Sequence, residues 1–346
     1  MNDFYPLVSI VVITYNSSHY VLETLESIKS QTYKNIELIV TDDCSSDDTI
    51  FLCQNWIEKN KSNFVRTKLI TTTCNTGVSA NCNRGCWEAK GEWIKCIAGD
   101  DCLCVDGIEK YIKFICLNRE VLICHSKMLV FENTFLEKNL IKDDLIIPAL
   151  FIECNDSYKQ FLMLCLSNVI AASTVFMHKT LFEKVGGFDE QISMCEDWPM
   201  WLKITQQGHF IAFLDEYTSK YRVTKSSIMG KENGGFLFKR FYNTENIVYK
   251  KYIRKYARLD VIFFNRYDFY IRLLLDKIGL NKKNYLSKMI YSIICNKPTI
   301  WLIRTKQFIL QPPKPSTKII SIAYDQIRDR TRSYSIYNIY VISIFC

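Results

Sequence analysis

Trp93-Ile94-Lys95-Cys96-Ile97-Ala98-Gly99-Asp100-Asp101 is the stretch on which the reading of this chain turns. Residues 93–97 form a short, mostly apolar run, the pattern of a strand buried on both faces. The run stops at a glycine and two adjacent carboxylates. Like charges held side by side repel, and in a low-dielectric setting one of them is driven towards its protonated form. A divalent cation removes the conflict. Hard oxygen donors of this kind suit Mg²⁺ or Mn²⁺ bridging to phosphate oxygens. A strand ending in such a pair points to a transferase that works on a nucleotide.

The same logic extends outward along the chain. Residues 8–13 are a continuous β-branched run, 36–40 a second buried strand ending at Asp42-Asp43, and 68–72 a third. Between them, apolar residues recur at helical spacing. Val21, Leu25 and Ile28 mark a helix over 20–28 that Ser17 or Ser18 could cap, and Asp47 or Asp48 could cap another over 50–56. Helices are also expected over 79–89 and, capped by Asp106, up to Leu117. Strands alternating with helices imply a mostly parallel sheet covered on both faces, with ligands outside the carboxyl ends of the strands. That rule puts Thr14-Tyr15-Asn16, Asp42-Asp43 and Asp100-Asp101 on one rim.

Further on, 121–130 and 168–177 read as strands, with a less regular, partly helical excursion over 132–165. Gly186-Gly187 forms a turn, and Cys195-Glu196-Asp197 opens an apolar helix carrying Trp198, Trp201, Leu202 and Ile204. After Tyr221-Arg222 the character changes: 236–280 shows helical periodicity with many cations, and Gln311-Pro312-Pro313-Lys314-Pro315 is a break.

The 346 residues, nearly half of them hydrophobic, suffice for about two domains. The net charge of +8 conceals an asymmetry. Residues 1–218 carry 19 basic and 29 acidic side chains, and residues 219–346 carry 25 and 7. A basic segment rich in aromatics suits an anionic membrane face, or nucleic acid, or a plain solvated helical surface. The tail has no nucleic-acid-binding motif, and no nucleic-acid partner is expected. No apolar stretch approaches the roughly 20 residues that span a bilayer. The 15 cysteines lie largely in apolar runs and form no Cys-x-x-Cys pair, and no signal peptide is read, so buried thiols in a cytoplasmic protein are expected.

Taken together, the order and spacing of several motifs over residues 6–225 resemble the inverting GT-A type glycosyltransferases of family 2. The matching pieces are Val8-Ser9-Ile10-Val11-Val12-Ile13-Thr14-Tyr15-Asn16, Ser27-Ile28-Lys29-Ser30-Gln31-Thr32-Tyr33, and residues 37–49 around Asp42-Asp43. Then follow Ala98-Gly99-Asp100-Asp101, Gly186-Gly187-Phe188-Asp189-Glu190 and Glu196-Asp197-Trp198. The resemblance implies a Rossmann-like GT-A domain over 1–225, with helices on both faces of the sheet. A basic, mainly α-helical C-terminal extension over 226–346 would follow it.

It also implies roles. Thr14 and Tyr15 would hold the nucleotide, the Tyr15 ring stacked on the base, with Asp43 accepting from a base N–H and Asp42 orienting it. Asp101 would be the main ligand of Mn²⁺ or Mg²⁺, with Asp100 on the ribose or a metal-bound water and Arg222 on the diphosphate. Asp197 would be the general base, in a hydrogen-bond network with Glu196. The implied reaction moves a sugar, by default from a UDP donor, to a hydroxyl of a glycan or lipid-linked acceptor in surface polysaccharide biosynthesis, of the capsule or O-antigen kind. The setting would be cytoplasmic, at the inner face of a membrane.

Two departures stand against this. Relatives often carry an aspartate where this chain has Ala98. They also often carry an arginine where it has Cys82, and Arg84, two residues on, falls on another helix face. Both favour the alternative, a degenerate transferase acting as a binding or scaffold subunit. A sugar-phosphate nucleotidyltransferase would need a glycine-rich signature after the first strand, and Thr14-Tyr15-Asn16-Ser17 has no glycine.

Overall fold

A computed structural model describes residues 5–142, 149–192, 194–224, 240–282 and 284–291. Ser226-Ser227, which after Tyr221-Arg222 resemble a segment closing over the diphosphate in some relatives, and the proline-rich break at 311–315 lie outside the described residues. The first half runs β1 (Val8–Thr14), α1 (Val21–Lys29), β2 (Ile36–Asp42), α2 (Thr49–Asn60), β3 (Arg66–Thr71), α3 (Val78–Glu88) and β4 (Trp93–Ala98). A short β5 (Cys102–Leu103) and α4 (Gly107–Leu117) follow, then β6 (Ile123–Glu132), β7 (Leu140–Lys142), α5 (Ala149–Ile152) and α6 (Ser157–Leu164). The domain closes with β8 (Val175–His178), α7 (Lys179–Val185), α8 (Asp197–Gln206) and β9 (Ala212–Val223). Beyond it lie α9 (Arg240–Val248), α10 (Leu259–Lys277) and α11 (Tyr285–Tyr291).

The strands form one mixed sheet in the order β3-β2-β1-β4-β8-β6-β9-β5, with β7 on β6. The parallel expectation holds from β3 to β4. β8 then enters antiparallel to β4, β6 runs antiparallel to β8, and β9 lies parallel to β6. Two reversals restore the original direction. The carboxyl end of β9 therefore reaches the same rim as those of β1, β2 and β4.

Alternating side chains of β1 explain the two layers. Val8, Ile10 and Val12 face a core shared with Leu25 of α1, Cys53 and Trp56 of α2, and Ile108 and Tyr111 of α4. Val11 faces the other core, with Cys82 and Cys86 of α3, Leu164 of α6 and Trp201 of α8. Val248, Tyr252, Ile253 and Val261, from the chain beyond residue 239, complete that second core. Those C-terminal helices pack on the domain rather than standing apart from it.

Three local expectations are corrected. Residue Tyr20, not Ser17 or Ser18, stands at the N-cap of α1; Ser17 serves through its carbonyl, which accepts from the Tyr20 and Val21 amides. The Asp106 side chain makes no cap hydrogen bond on α4 and pairs with Lys110 one turn on. The strand expected over 168–177 is confined to β8, because residues 172–174 form a 3₁₀ turn whose Thr174 hydroxyl and amide both bond the Ala171 carbonyl.

Candidate active site

β1 and β2 are in register so that Thr14 lies beside Asp42 at the rim. The Thr14 hydroxyl donates to Asp42 Oδ2 (2.8 Å), and the Ser45 amide and hydroxyl donate to the same carboxylate (2.8 and 2.6 Å). Asp42 thus closes the turn after β2, a structural use of an aspartate at that position. Asn16 adopts a left-handed backbone (φ 50°), and its amide oxygen receives the Ser46 N–H at 2.9 Å. These bonds tie together the two loops flanking Tyr15. The Tyr15 side chain is left 51% exposed, a flat aromatic face beside the rim.

Asp43 is buried and fully engaged. It accepts from the Thr76 amide (2.9 Å) and hydroxyl (2.6 Å), from the Gly77 amide (2.7 Å) and from Arg84 (3.1 Å). Burial alone would raise its pKa, but these donors outweigh it and hold the carboxyl below the usual aspartate range. A base N–H reaching Asp43 would share it with them. Cys82 lies near Glu196 and Asp197, whereas Arg84, two residues on, turns instead to Asp43. Its long side chain spans from α3 to Asp43 and to the Thr76 hydroxyl (2.7 Å).

β4 delivers the acidic pair to the same rim. The Gly99 amide bonds the Ile13 carbonyl (2.9 Å), and a Cβ on Gly99 would lie 2.8 Å from the Thr14 methyl, so only glycine fits this close approach. Asp100 is half-buried and Asp101 buried. Burial raises both carboxyl pKa values, that of Asp101 well above the ordinary range, with the neighbouring Asp100 charge as a further cause. Asp101 Oδ1 accepts the Arg222 amide at 2.9 Å.

Arg222 is placed differently from the phosphate contact that the resemblance implies. It is 2% exposed. Its Nε donates to the Asp100 carbonyl (2.8 Å), Nη1 to the Asn133 carbonyl, and Nη2 to Glu23 of α1. The guanidinium also lies 4.5 Å from the Tyr20 ring centroid and 4.0 Å from that of Phe135. All three of its nitrogens are engaged: Nε holds the Asp100-Asp101 turn, while Nη1 and Nη2 tie it to Asn133 and to Glu23 of α1.

The second acidic pair opens α8. Asp197 is buried; Oδ2 accepts from Asn168 (3.0 Å) and Oδ1 from the Trp198 amide (2.7 Å). Burial, then the charge of half-buried Glu196, pushes Asp197 well above the ordinary carboxyl range, and burial raises Glu196 as well. The preceding residue, Cys195, is held at φ 63°, a conformation uncommon outside glycine. Tyr221, next to Arg222 on β9, lies within electrostatic reach of both pairs, Asp100-Asp101 and Glu196-Asp197. Cys82 also lies close enough to Glu196 and Asp197 to feel their charges.

Glu23, Asn133 and Asn168 were not among the residues singled out from sequence, and Tyr221 was noted only as the neighbour of Arg222, with no role of its own. Each depends on a contact across many residues, and only the tyrosine beside Arg222 carried any local signal. Gly186 and Gly187 both have positive φ (75° and 70°). Asp189, in the same motif, accepts from Lys251 (2.7 Å) and from Tyr252, and so anchors the C-terminal helices. Among the described residues, no cluster of three or more His, Cys, Asp or Glu side chains forms a complete metal cage. Adjacent hard carboxylates such as Asp100 and Asp101 suit a cation that takes its remaining ligands from phosphate and water, as Mg²⁺ commonly does.

A parallel-to-mixed sheet with acidic pairs on its carboxyl rim defines a GT-A type glycosyltransferase, and comparison with known proteins agrees. The model of the glycosyl transferase family 2 domain matches residues 9–186, and the chain belongs to that family. The chain is 38% identical over 117 residues to an uncharacterised glycosyltransferase of Haemophilus influenzae, covering 34% of this chain and 45% of that protein. It is 28% identical over 261 residues, 75% of this chain and 92% of the other, to the Escherichia coli protein WfaP. That relative is described as a UDP-Glc:alpha-D-GlcNAc-diphosphoundecaprenol beta-1,3-glucosyltransferase. Among solved structures, S. aureus TarS 1–349 in complex with UDP-GlcNAc superimposes with a TM-score of 0.58 at 18% identity, covering 82% of this chain and 78% of that one. That likeness concerns the fold.

Proposed function

We propose that this protein is an inverting glycosyltransferase. It would move a sugar from a nucleoside diphosphate donor, UDP by default, to a hydroxyl of a lipid-linked glycan in surface polysaccharide biosynthesis, at the cytoplasmic face of a membrane. The observation that carries the reading is that two acidic pairs, Asp100-Asp101 and Glu196-Asp197, both lie within electrostatic reach of Tyr221 on β9. Inversion in one displacement needs a charge-handling group at the leaving diphosphate and a carboxylate base on the opposite face of the sugar. The acceptor class is supported by WfaP and by WfgD, a second E. coli relative with the same printed activity, 27% identical over 229 residues.

Each residue has a defined task in this scheme. Tyr15 stacks on the base, and Thr14 and Asp42 hold the loop that presents it. Asp43 with Arg84, Thr76 and Gly77 forms the wall towards the base edge. Asp197, oriented by the Asn168 amide, takes the proton of the attacking hydroxyl, and the raised pKa of the buried carboxyl makes it a stronger base than an exposed aspartate. Glu196 supplies neighbouring negative charge that keeps it so. Asp101, with Asp100, would hold Mn²⁺ or Mg²⁺, which supplies positive charge to offset that building on the departing diphosphate. Arg222 positions Asp100 and Asp101.

Purified protein is to be heated with UDP, GDP, CDP or dTDP, each with Mn²⁺ or with a chelator. A ligand at about 100 times its dissociation constant adds roughly 2.7 kcal/mol of stability, which is readily seen. A metal-dependent shift with one nucleotide, followed by transfer from the matching donor to a polyprenyl-diphosphate glycan, is the expected result. Ala98 and Cys82 favour the scaffold alternative, and no shift with any nucleotide from a folded sample would overturn the donor-binding reading and favour that alternative.

A further inference from the structure

The helix α10 is docked by one face only. Asn265 donates to the Cys165 carbonyl at 2.8 Å, Val261 enters the core, and Phe269 and Leu275 are buried on the same side. The opposite arc carries Leu259, Phe263, Tyr270 and Leu274, which are 85%, 61%, 61% and 51% exposed. Their spacing of four, seven and four residues keeps all of them within one side of the helix, and Ile278 continues the line just past its end. An unbroken apolar stripe of this length is not what a helix facing only water requires.

Charge decides what would cover it. Residues 240–291 hold twelve basic and four acidic side chains. The acids are occupied nearby: Asp260 with Arg258, Asp268 with Arg272, Glu245 with Arg272, and Asp276 with Asn281. Lys250, Arg254, Lys255, Lys277 and Lys282 are exposed before, within and after the helix. An apolar and tyrosine stripe on one helix face, with Lys277 at its end and further exposed cations in the adjoining segments, matches the water–bilayer boundary of an anionic membrane. No described helix is long and apolar enough to cross a bilayer.

From this we infer that α10 lies flat on an anionic membrane, with the Leu259-Phe263-Tyr270-Leu274 stripe seated among the acyl chains and the surrounding cations on lipid phosphates. The inference deepens the proposed transfer to a lipid-linked acceptor by assigning the face that meets the lipid. Helix α10 would thereby hold the domain at the surface where such an acceptor lies.

The test is flotation of the full chain with vesicles of phosphatidylcholine alone, or of phosphatidylcholine and phosphatidylglycerol in equal parts, without donor or acceptor. Binding to the anionic vesicles only is expected. The double variant Phe263→Asp/Leu274→Asp should lose at least about tenfold in vesicle affinity while keeping its melting temperature. Lys250→Glu/Lys255→Glu should lose about tenfold as well, with a flatter salt dependence. Three results would overturn the inference: a wild-type chain that does not float, a double variant that floats like wild type, or a stripe whose loss splits a dimer instead. A chain that transfers sugar to a water-soluble acceptor but ignores vesicles sinks this inference alone. One that floats yet transfers to nothing sinks the catalytic reading alone.

Discussion

The backbone amide of Arg222 donates to the carboxylate of Asp101 at 2.9 Å, across 121 residues of sequence, while its guanidinium grips the carbonyl of Asp100. One residue of β9 thus fixes both members of the acidic pair that ends β4. Lysine could not reproduce this, since a single ammonium cannot serve the Asp100 carbonyl, the Asn133 carbonyl and Glu23 in a planar fork.

Arg222→Lys should therefore lower stability by about 2 kcal/mol and blunt the metal response of UDP binding together. Both are read by thermal melts with and without Mn²⁺. Loss of UDP binding at unchanged stability would instead make Arg222 a phosphate ligand.

Asp197→Asn should reduce transfer by about 10²-fold or more and leave UDP binding nearly unchanged. Transfer surviving within about tenfold of wild type would remove Asp197 as the base. In the wild type, the raised pKa sets the pH dependence. The base works when ionised, so kcat should fall as pH drops through a value above the ordinary carboxyl range of about 4. A pH–rate profile shows that acidic limb, and Asp197→Asn should abolish it.

Asp101→Asn should have opposite effects on the two properties. The folded state raises this carboxyl's pKa, so its ionised form is a burden on the fold at neutral pH, one that lessens as pH falls towards the raised value. Replacing it with the neutral amide should raise the melting temperature of the metal-free protein by about 2 °C. It should also abolish the Mn²⁺ dependence of UDP binding. A calorimetric melt and a titration give both answers.

Tyr15→Ala should weaken UDP binding about tenfold, in line with roughly 1–3 kcal/mol for stacking one base on an aromatic ring. The exposed side chain contributes little to the fold, so the melting temperature without ligand should stay the same. An unchanged UDP affinity would move the base elsewhere on the rim.

Elements whose signals are local were legible in the sequence. Residues 8–13 and 93–97 announce themselves as buried strands because most of their positions answer to the same two-sided burial. Asp100-Asp101 and Glu196-Asp197 stood out because adjacent carboxylates are unusual beside apolar runs. Strand β9 was not legible. It pairs with β6 through shifts in register around Lys127 that break the alternation a strand otherwise shows. Arg222 was noticed, but its buried position depends on Glu23, Asp100 and Asn133, which only the closed sheet brings together. Cys82 and Arg84 do serve different sides of α3, as their spacing implies, and the contact of Arg84 with Asp43 exists only once the fold brings β2 and α3 together.

The core formed by α6 and α8 contains side chains from far along the chain, Val248 and Val261 among them. During synthesis, then, a nascent chain that already holds every acidic residue of the site still lacks part of the wall behind Trp201 and Leu164. At roughly 5–20 residues per second, the ribosome needs several seconds to travel from Asp197 to Val261. Over that interval the half-built domain exposes apolar surface, and chaperone demand should peak there rather than at the sheet.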